Sequence, residues 1–395
     1  MTWRRRLRAF FKWATIAFLV LVVIALVDGW RAFGHRATGE RRARMERSAA
    51  WKDGHFENPQ PLVNDAWGSI ASVRDTSPHS VPDPPLHFEP IDPARFAAPP
   101  PSGLRVTWLG HSSTLIEIDG KRILTDPVWS DRIGPLDGVG PTRWYPPLVA
   151  IGELPPIDAV VVSHDHYDHL DRPTVMALAD KAARFIVPLG VGAHLEYWDI
   201  PRAKLVELDW WEHADAGGLD VVCTPARHAS GRFLTDKDAT LWASYALVGS
   251  AHRVWYSGDT GLFPAMAEIG EKWGPFDLTM IEVGQYHQAW PDWHIGPEQA
   301  VRAHVMVRGK ALLPIHWGLL RLAYHGWTEP IERARAESIR REVRAVFPRP
   351  GESVEPDAPK STEAWWPSIP WNTGAADPIV STQVPPEAEA TRPSP

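Results

Sequence analysis

Sulfur chemistry and excess positive charge are both missing from this chain. A single cysteine, Cys223, occurs in 395 residues, so no intramolecular disulfide can staple the fold and a disulfide-built scaffold is excluded. The net charge of −7 lacks the basic excess that a general nucleic-acid binder presents to phosphates. No repeat of solenoid type is evident. At 44% hydrophobic residues, the chain nevertheless has ample material for a large core.

What is present is concentrated in Ser163-His164-Asp165-His166-Tyr167-Asp168-His169-Leu170, directly after the apolar run Ala159-Val160-Val161-Val162. A strand that ends in a short loop aims several of these side chains at one point. Neutral imidazole and carboxylate are the donors that suit zinc at a hydrolytic site. A chance cluster of surface histidines is the bland alternative, and a metal site is the better reading. Three further donors each end a strand-like run: His228 after 219–227, Asp259 after 253–258, and His316 after 310–315. Taken singly, each could be a structural residue. Their common position predicts four strand ends converging at one sheet edge.

The segment His164-x-His166-x-Asp168-His169 resembles the signature of the metallo-β-lactamase superfamily. Further segments resemble its N-acyl-phosphatidylethanolamine-hydrolysing phospholipase D branch: Val106-Thr107-Trp108-Leu109-Gly110-His111, Leu124-Thr125-Asp126-Pro127, Glu153-Leu154-Pro155-Pro156-Ile157-Asp158-Ala159-Val160, Glu207-Leu208-Asp209-Trp210-Trp211-Glu212 and Ser257-Gly258-Asp259-Thr260-Gly261. So do Gly274-Pro275-Phe276-Asp277-Leu278 and Ile315-His316-Trp317-Gly318. The likeness runs from about Phe56 to about Glu352. It implies an α/β fold, the αβ/βα four-layer sandwich. It also implies two zinc ions: one held by His164, His166 and His228, the other by Asp168, His169 and His316, with Asp259 shared and an activated water between them. Asp126, and less directly His111, are candidates to orient the imidazoles, whereas Asp165 and Tyr167 are expected to face away. His294, in Trp293-His294-Ile295-Gly296, matches a histidine of the family, and binding a phosphoryl oxygen or protonating the leaving alkoxide is the role that implies. Its catalytic partners would be Asp259 and Asp168.

One departure concerns the substrate. Where the family runs Gly-Ala-Tyr-x-Pro-Arg-Trp, this chain has Gly284-Gln285-Tyr286-His287-Gln288-Ala289-Trp290. A headgroup held by that arginine loses its bidentate partner. Hydrolysis is untouched by the change; substrate identity is not.

The termini differ from the core. Trp13–Val27 is an unbroken run of apolar or small residues, preceded by Arg4, Arg5, Arg6, Arg8 and Lys12 and flanked by Phe10, Phe11 and Trp30. No clear Ala-x-Ala site follows, so an uncleaved membrane-spanning helix over residues 1–30 is expected rather than a signal peptide. The basic start predicts a cytoplasmic N-terminus in a bacterial-type inner membrane, with the catalytic domain on the periplasmic side. Arg31, Arg36, Arg41, Arg42, Arg44 and Arg47 after the span pull the other way and suit anionic lipid. Residues 31–103 read as a basic and Pro-rich linker or packing segment, 104–352 as the hydrolase domain, and 353–395 as a disordered tail except near Trp365, Trp366 and Trp371. Trp210, Trp211, Trp290, Trp293, Trp317 and Trp327 are placed near the metal edge, some of them lining an apolar groove.

Strands are expected at 105–109, 114–119, 122–126, 159–163, 184–188, 204–208, 219–224, 241–248, 253–257, 278–283 and 310–315. Helices are expected at 173–182, 262–272, 297–308 and 328–340. The function expected is that of a membrane-anchored dinuclear zinc hydrolase, a phospholipase D-type phosphodiesterase acting on N-acyl-phosphatidylethanolamine or a related phospholipid. Its partners would be that lipid or another phosphodiester and the membrane, with no nucleic acid; a homodimer stays open. Two alternatives stand beside this one, a lactonase of the same superfamily and a membrane-tethered binding protein without turnover.

Overall fold

The computed structural model describes residues 3–136, 138–356, 363–382 and 384. A long helix, α1 (Trp3–Gly29), leads into α2 (Gly39–Met45), the hairpin β1 (Trp51–Lys52) and β2 (His55–Phe56), and α3 (Ala66–Ser72). The first half of the domain holds β3 (Leu104–Gly110), β4 (Ser113–Ile118), β5 (Lys121–Thr125), β6 (Ile157–Val161), α4 (Arg172–Leu178), β7 (Ala182–Pro188), α5 (Gly192–Tyr197) and β8 (Leu205–Leu208). The second half holds β9 (His213–Asp215), β10 (Asp220–Thr224), β11 (Ser244–Val248), β12 (Arg253–Tyr256), α6 (Ala265–Trp273), β13 (Leu278–Glu282), α7 (Pro297–Met306), β14 (Leu312–Ile315), α8 (Glu329–Arg340) and β15 (Ser353–Val354).

Two mixed sheets result. The seven-stranded sheet runs β15-β3-β4-β5-β6-β7-β8 and the six-stranded sheet β14-β13-β12-β11-β10-β9. Strands β5 to β8 are parallel, as are β12 to β14. Sheets covered on both faces carry continuous apolar runs rather than alternation, and β4 shows this directly. Its Ile116 and Ile118 join the cluster between the sheets, with Tyr245, Tyr256, Met280 and Leu313, while Leu115 faces the outer cluster with Val175, Leu178 and Leu195. Helices therefore close the outer layers, and the four-layer sandwich follows.

The carboxyl ends of β5, β12 and β14 are followed at once by Asp126, Ser257 and His316, those of β6 and β10 lead within a few residues to His164 and His228, and β13 itself ends on Glu282. Ligands gather at such strand ends in α/β sheets.

Several boundaries differ from expectation. The helix expected at 173–182 stops at Leu178, because Ala182 already pairs with Ile157 at the start of β7. The strand expected from 241 starts at Ser244, and Ala243 instead hydrogen-bonds Ser163 O across the sheets (2.9 Å). The short elements α2, α3, α5, β9, β15 and the β1–β2 hairpin carry too little periodicity to be read. Disorder after Glu352 outside the stretch near Trp365, Trp366 and Trp371 is not what the described tail residues show: β15 pairs with β3, and Ser381 and Thr382 bond Asp292. The partners that hold these residues, β3 and Asp292, are far away in the chain, so a Pro- and Glu-rich composition does not reveal them. Residues 357–362, 383 and 385–395 lie outside the described set.

In α1, Trp3–Ile24 is long and apolar enough to cross a membrane, with none of the stretch buried against the domain. Length and composition are what qualify it.

Candidate metal centre

Each site residue sits where a buried strand stops. His164, Asp168 and His169 lie on the loop after β6, His228 beyond β10, Asp259 beyond β12, Glu282 at the last position of β13 and His316 immediately after β14. His316 and Asp126 adopt left-handed φ angles of 63° and 33°. Backbone held in that region by a rigid frame is common where side chains must be aimed.

Potential ligand atoms cluster in overlapping groups within 4.8 Å: His164, His166 and His228; His111, Asp168, His169 and His316; and Asp259, Glu282, His294 and His316. Asp259 joins them. Its Oδ2 is 3.0 Å from His169 Nε2, 3.7 Å from His294 Nδ1 and 3.9 Å from both His164 Nε2 and His228 Nε2. Its Oδ1 is 3.2 Å from His316 Nδ1. Asp168 Oδ2 lies 3.3 Å from His169 Nε2 and 2.9 Å from His111 Nε2. All seven expected ligands and His294 are thus brought together.

Five of the rings are held at Nδ1. His228 Nδ1 donates to Trp293 O (2.8 Å) and His169 Nδ1 to Asp126 Oδ2 (2.6 Å). His164 Nδ1 meets Ser163 Oγ (2.9 Å), His316 Nδ1 meets Ser112 Oγ (3.0 Å), and His294 Nδ1 meets Glu282 Oε2 (2.8 Å). Donation from Nδ1 leaves Nε2 of His169 and His228 facing the centre; His228, held neutral, keeps the lone pair a metal needs there, and a metal would displace the Nε2 proton of His169. Asp126 is itself held by Ser163 N (2.7 Å), Ser163 Oγ and Tyr256 OH.

Whether these residues fit metal ions can be tested on atoms left without partners. His316 Nε2 is buried with no partner, a cost of about 1–3 kcal/mol if nothing met it, and His169 Nε2 and Asp259 Oδ1 are buried with ion-pair contacts but no well-aligned hydrogen bond. His164 Nε2 and His166 Nδ1 face each other at 2.8 Å, with His228 Nε2 3.3 Å from the latter. Orphaned atoms converging on one point fit cations between them.

Electrostatics agree. Burial and neighbouring imidazoles hold His164, His228 and His316 well below the ordinary histidine range, hence neutral and able to ligate. Burial also opposes charge on His169, but Asp259, Asp168 and Asp126 outweigh it and raise that ring well above the ordinary range. Asp259 is pushed up to about 6, first by burial and then by Glu282. A carboxylate so disfavoured suits a cation beside it.

Two groups escaped the sequence reading. Glu282, fully buried, receives Thr260 N (2.5 Å) and orients His294; an acidic residue ending the apolar run Leu278-Thr279-Met280-Ile281 was the available signal. The other is the framework behind the loop. Asp165 and Tyr167 turn away from the centre, Asp165 towards Gly231 N and Thr240 Oγ1, Tyr167 towards Arg232 O. Of the tryptophans expected at the metal edge, Trp317 and Trp327 belong to the core, with Trp210 and Trp211 packed against it. Trp293 stands beside His228, ring centroids 5.8 Å apart.

A β-lactamase superfamily domain model matches residues 121–317. An uncharacterised protein of Mycobacterium tuberculosis is 45% identical over 382 residues, 92% of this chain and 99% of that protein. N-acyl-phosphatidylethanolamine-hydrolysing phospholipase D 1 of Caenorhabditis elegans is 35% identical over 289 residues, 67% of this chain and 80% of that protein. An isothiocyanate hydrolase from Delia radicum gut bacteria superposes with a TM-score of 0.50 at 16% identity, covering 64% of this chain and 98% of the other, and shares the fold.

Proposed function

Because the chain belongs to the metallo-β-lactamase superfamily, in its N-acyl-phosphatidylethanolamine-hydrolysing phospholipase D-like branch, and is on that ground a metallo-hydrolase, we propose that it is a membrane-anchored dinuclear zinc phosphodiesterase. Its substrate is N-acyl-phosphatidylethanolamine or a related phospholipid, and the bond broken lies between phosphorus and the headgroup oxygen. Water supplies the new oxygen on phosphorus; phosphatidate and the N-acylethanolamine leave. The observation that carries this reading is the convergence of two His/Asp ligand groups on one shared carboxylate, Asp259.

His164, His166 and His228 would hold one ion, and Asp168, His169 and His316 the other. When bound, two such ions supply Lewis-acid polarisation of the phosphoryl group and a water of lowered pKa. His294 is 17% exposed and is tied by Nδ1 to Glu282, which leaves its outer nitrogen for a phosphoryl oxygen or for the proton the departing alkoxide needs. Burial lowers the affinity of His294 for a proton, in keeping with a ring that gives one up readily. The exposed apolar stretch of α1 would keep the enzyme on the surface that carries its substrate.

Incubating the zinc-loaded full chain with N-acyl-phosphatidylethanolamine in mixed micelles tests the proposal. Phosphatidate and N-acylethanolamine by mass spectrometry, absent with Asp259→Asn, are the expected products. Ala289, in place of an arginine, favours one second reading: a lactonase using the same centre. Lactone opening with intact phospholipid would replace the first reading with the second.

A further inference from the structure

Behind the metal loop, hydrogen bonds fasten three main-chain groups of the segment that leaves α1, and the Arg31 side chain adds bonds to Tyr197 O (2.6 Å) and Asp199 Oδ2 (2.8 Å). Trp198 Nε1 donates to Arg31 O (2.5 Å), Arg232 Nε to Ala32 O (2.9 Å), and His35 N to His194 Nδ1 (2.9 Å). Two of these partners also grip the loop that carries the ligands. Arg232 Nη1 donates to Asp165 O (2.6 Å) and Leu170 O (2.9 Å), so one buried guanidinium spans both ends of the loop and the segment. It is stacked between Tyr167, 4.0 Å from that ring centroid, and Trp198, 5.0 Å from its own. His194 accepts from His35 N at Nδ1, which leaves the proton on Nε2, and this meets Asp165 Oδ2 (3.2 Å). Asp165 stands between the ligand positions His164 and His166.

We propose that residues 30–37 form a strap that positions the metal loop, with His194 and Arg232 as its positioning residues, so that the chain following the N-terminal helix is part of the metal centre's framework. The proposal rests on the metal-centre reading above. Gly34 carries the sharpest evidence. Its φ is +79°, and a Cβ there would lie 2.0 Å from His194 Nδ1. Only glycine lets the backbone approach the ring this closely. Beneath the strap lies a cavity of about 580 Å³ bordered by Trp30, Phe33, Tyr197 and Phe233. A ligand's outer hydrogen bonds set its orientation and the affinity of its site; here the outer layer reaches back through Asp165 to the strap.

The test uses the full chain in detergent, loaded with Zn2+, and follows metal transfer to the chromogenic chelator 4-(2-pyridylazo)resorcinol. Gly34→Ala pushes the strap off His194. His194→Gln keeps an amide near the Nε2 position for Asp165 but offers His35 N no acceptor at Nδ1. Gly39→Ala is the control, because Gly39 shares a left-handed φ of +57° yet a Cβ there meets nothing within 4 Å. Zinc should leave the first two variants about tenfold faster than wild type, and Gly39→Ala at the wild-type rate. Release from His194→Gln at the wild-type rate overturns the proposal, whatever Gly34→Ala does; so does release from Gly39→Ala as fast as from Gly34→Ala. Melting of the zinc-free proteins reports folding, and if Gly34→Ala fails to fold, His194→Gln decides. A wild-type chain that takes up no zinc would instead remove the metal-centre reading.

Discussion

Asp259 is the residue on which the two ligand groups meet, and its charge has opposite consequences with and without metal. Burial and Glu282 push it up to about 6, against an ordinary value near 3.9. Native protein without metal therefore keeps a proton that the unfolded chain has released between those values. The resulting stability is fully present below about pH 4 and lost as pH rises through about 6. In Asp259→Asn that loss cannot occur. Chelator-treated Asp259→Asn should be more stable than chelator-treated wild type at pH 8, by something on the order of 1–3 kcal/mol, with a clearly smaller gap at pH 5. Calorimetry at both pH values checks this, and equal gaps would mean that Asp259 is not the group titrating. Glu282 makes a second prediction at the same scale. Replacing it by Gln keeps an acceptor for Thr260 N but can turn an amide N–H towards His294 Nδ1, reversing the ring's tautomer. kcat on the phospholipid should fall about 100-fold with KM little changed, and a KM effect alone would make Glu282 a binding residue.

At the scale of elements, what was legible followed from chemistry that leaves a local mark. A buried strand needs an uninterrupted apolar run, and a metal ligand at its end needs His or Asp, so Ala159–Val162 with His164 announces itself. Asp126 was readable for the same reason. His194 and Arg232 were not, since their meaning depends on Asp165 and Ala32, far away in the chain. Short elements such as α5 are fixed by tertiary contacts that no window of sequence contains. The central strands should dominate stability accordingly. Ile116 of β4 is fully buried between the sheets, and Ile116→Ala should cost about 2–5 kcal/mol. A denaturant titration measures it; a loss under 1 kcal/mol would mean the inter-sheet space collapses around the missing methyls.

Across the whole molecule, described segments before and after the domain are stitched to its middle. Arg227, fully buried beyond β10, donates to Asp292 Oδ1 (2.7 Å), Ser381 Oγ (2.9 Å) and Pro61 O, so one guanidinium joins a segment before the domain, a loop beside His294 and a segment after the domain. Trp366 adds an apolar anchor against Phe347 and Trp317, and its Nε1 bonds Glu332 Oε1 (2.9 Å). A disordered tail would contribute nothing to folding, whereas the described residues of this one pack and bond against the domain. Trp366→Ala should therefore destabilise the protein by about 3 kcal/mol. Arg227→Met, which leaves Asp292 buried without its partner, should cost about 3–5 kcal/mol. The two sites share the C-terminal segment, so the double variant should lose less than the sum if that segment detaches as one unit. Strict additivity in urea titrations would mean that the tail is held at two independent points, and the segment around His294 would then stay ordered when Trp366 is lost.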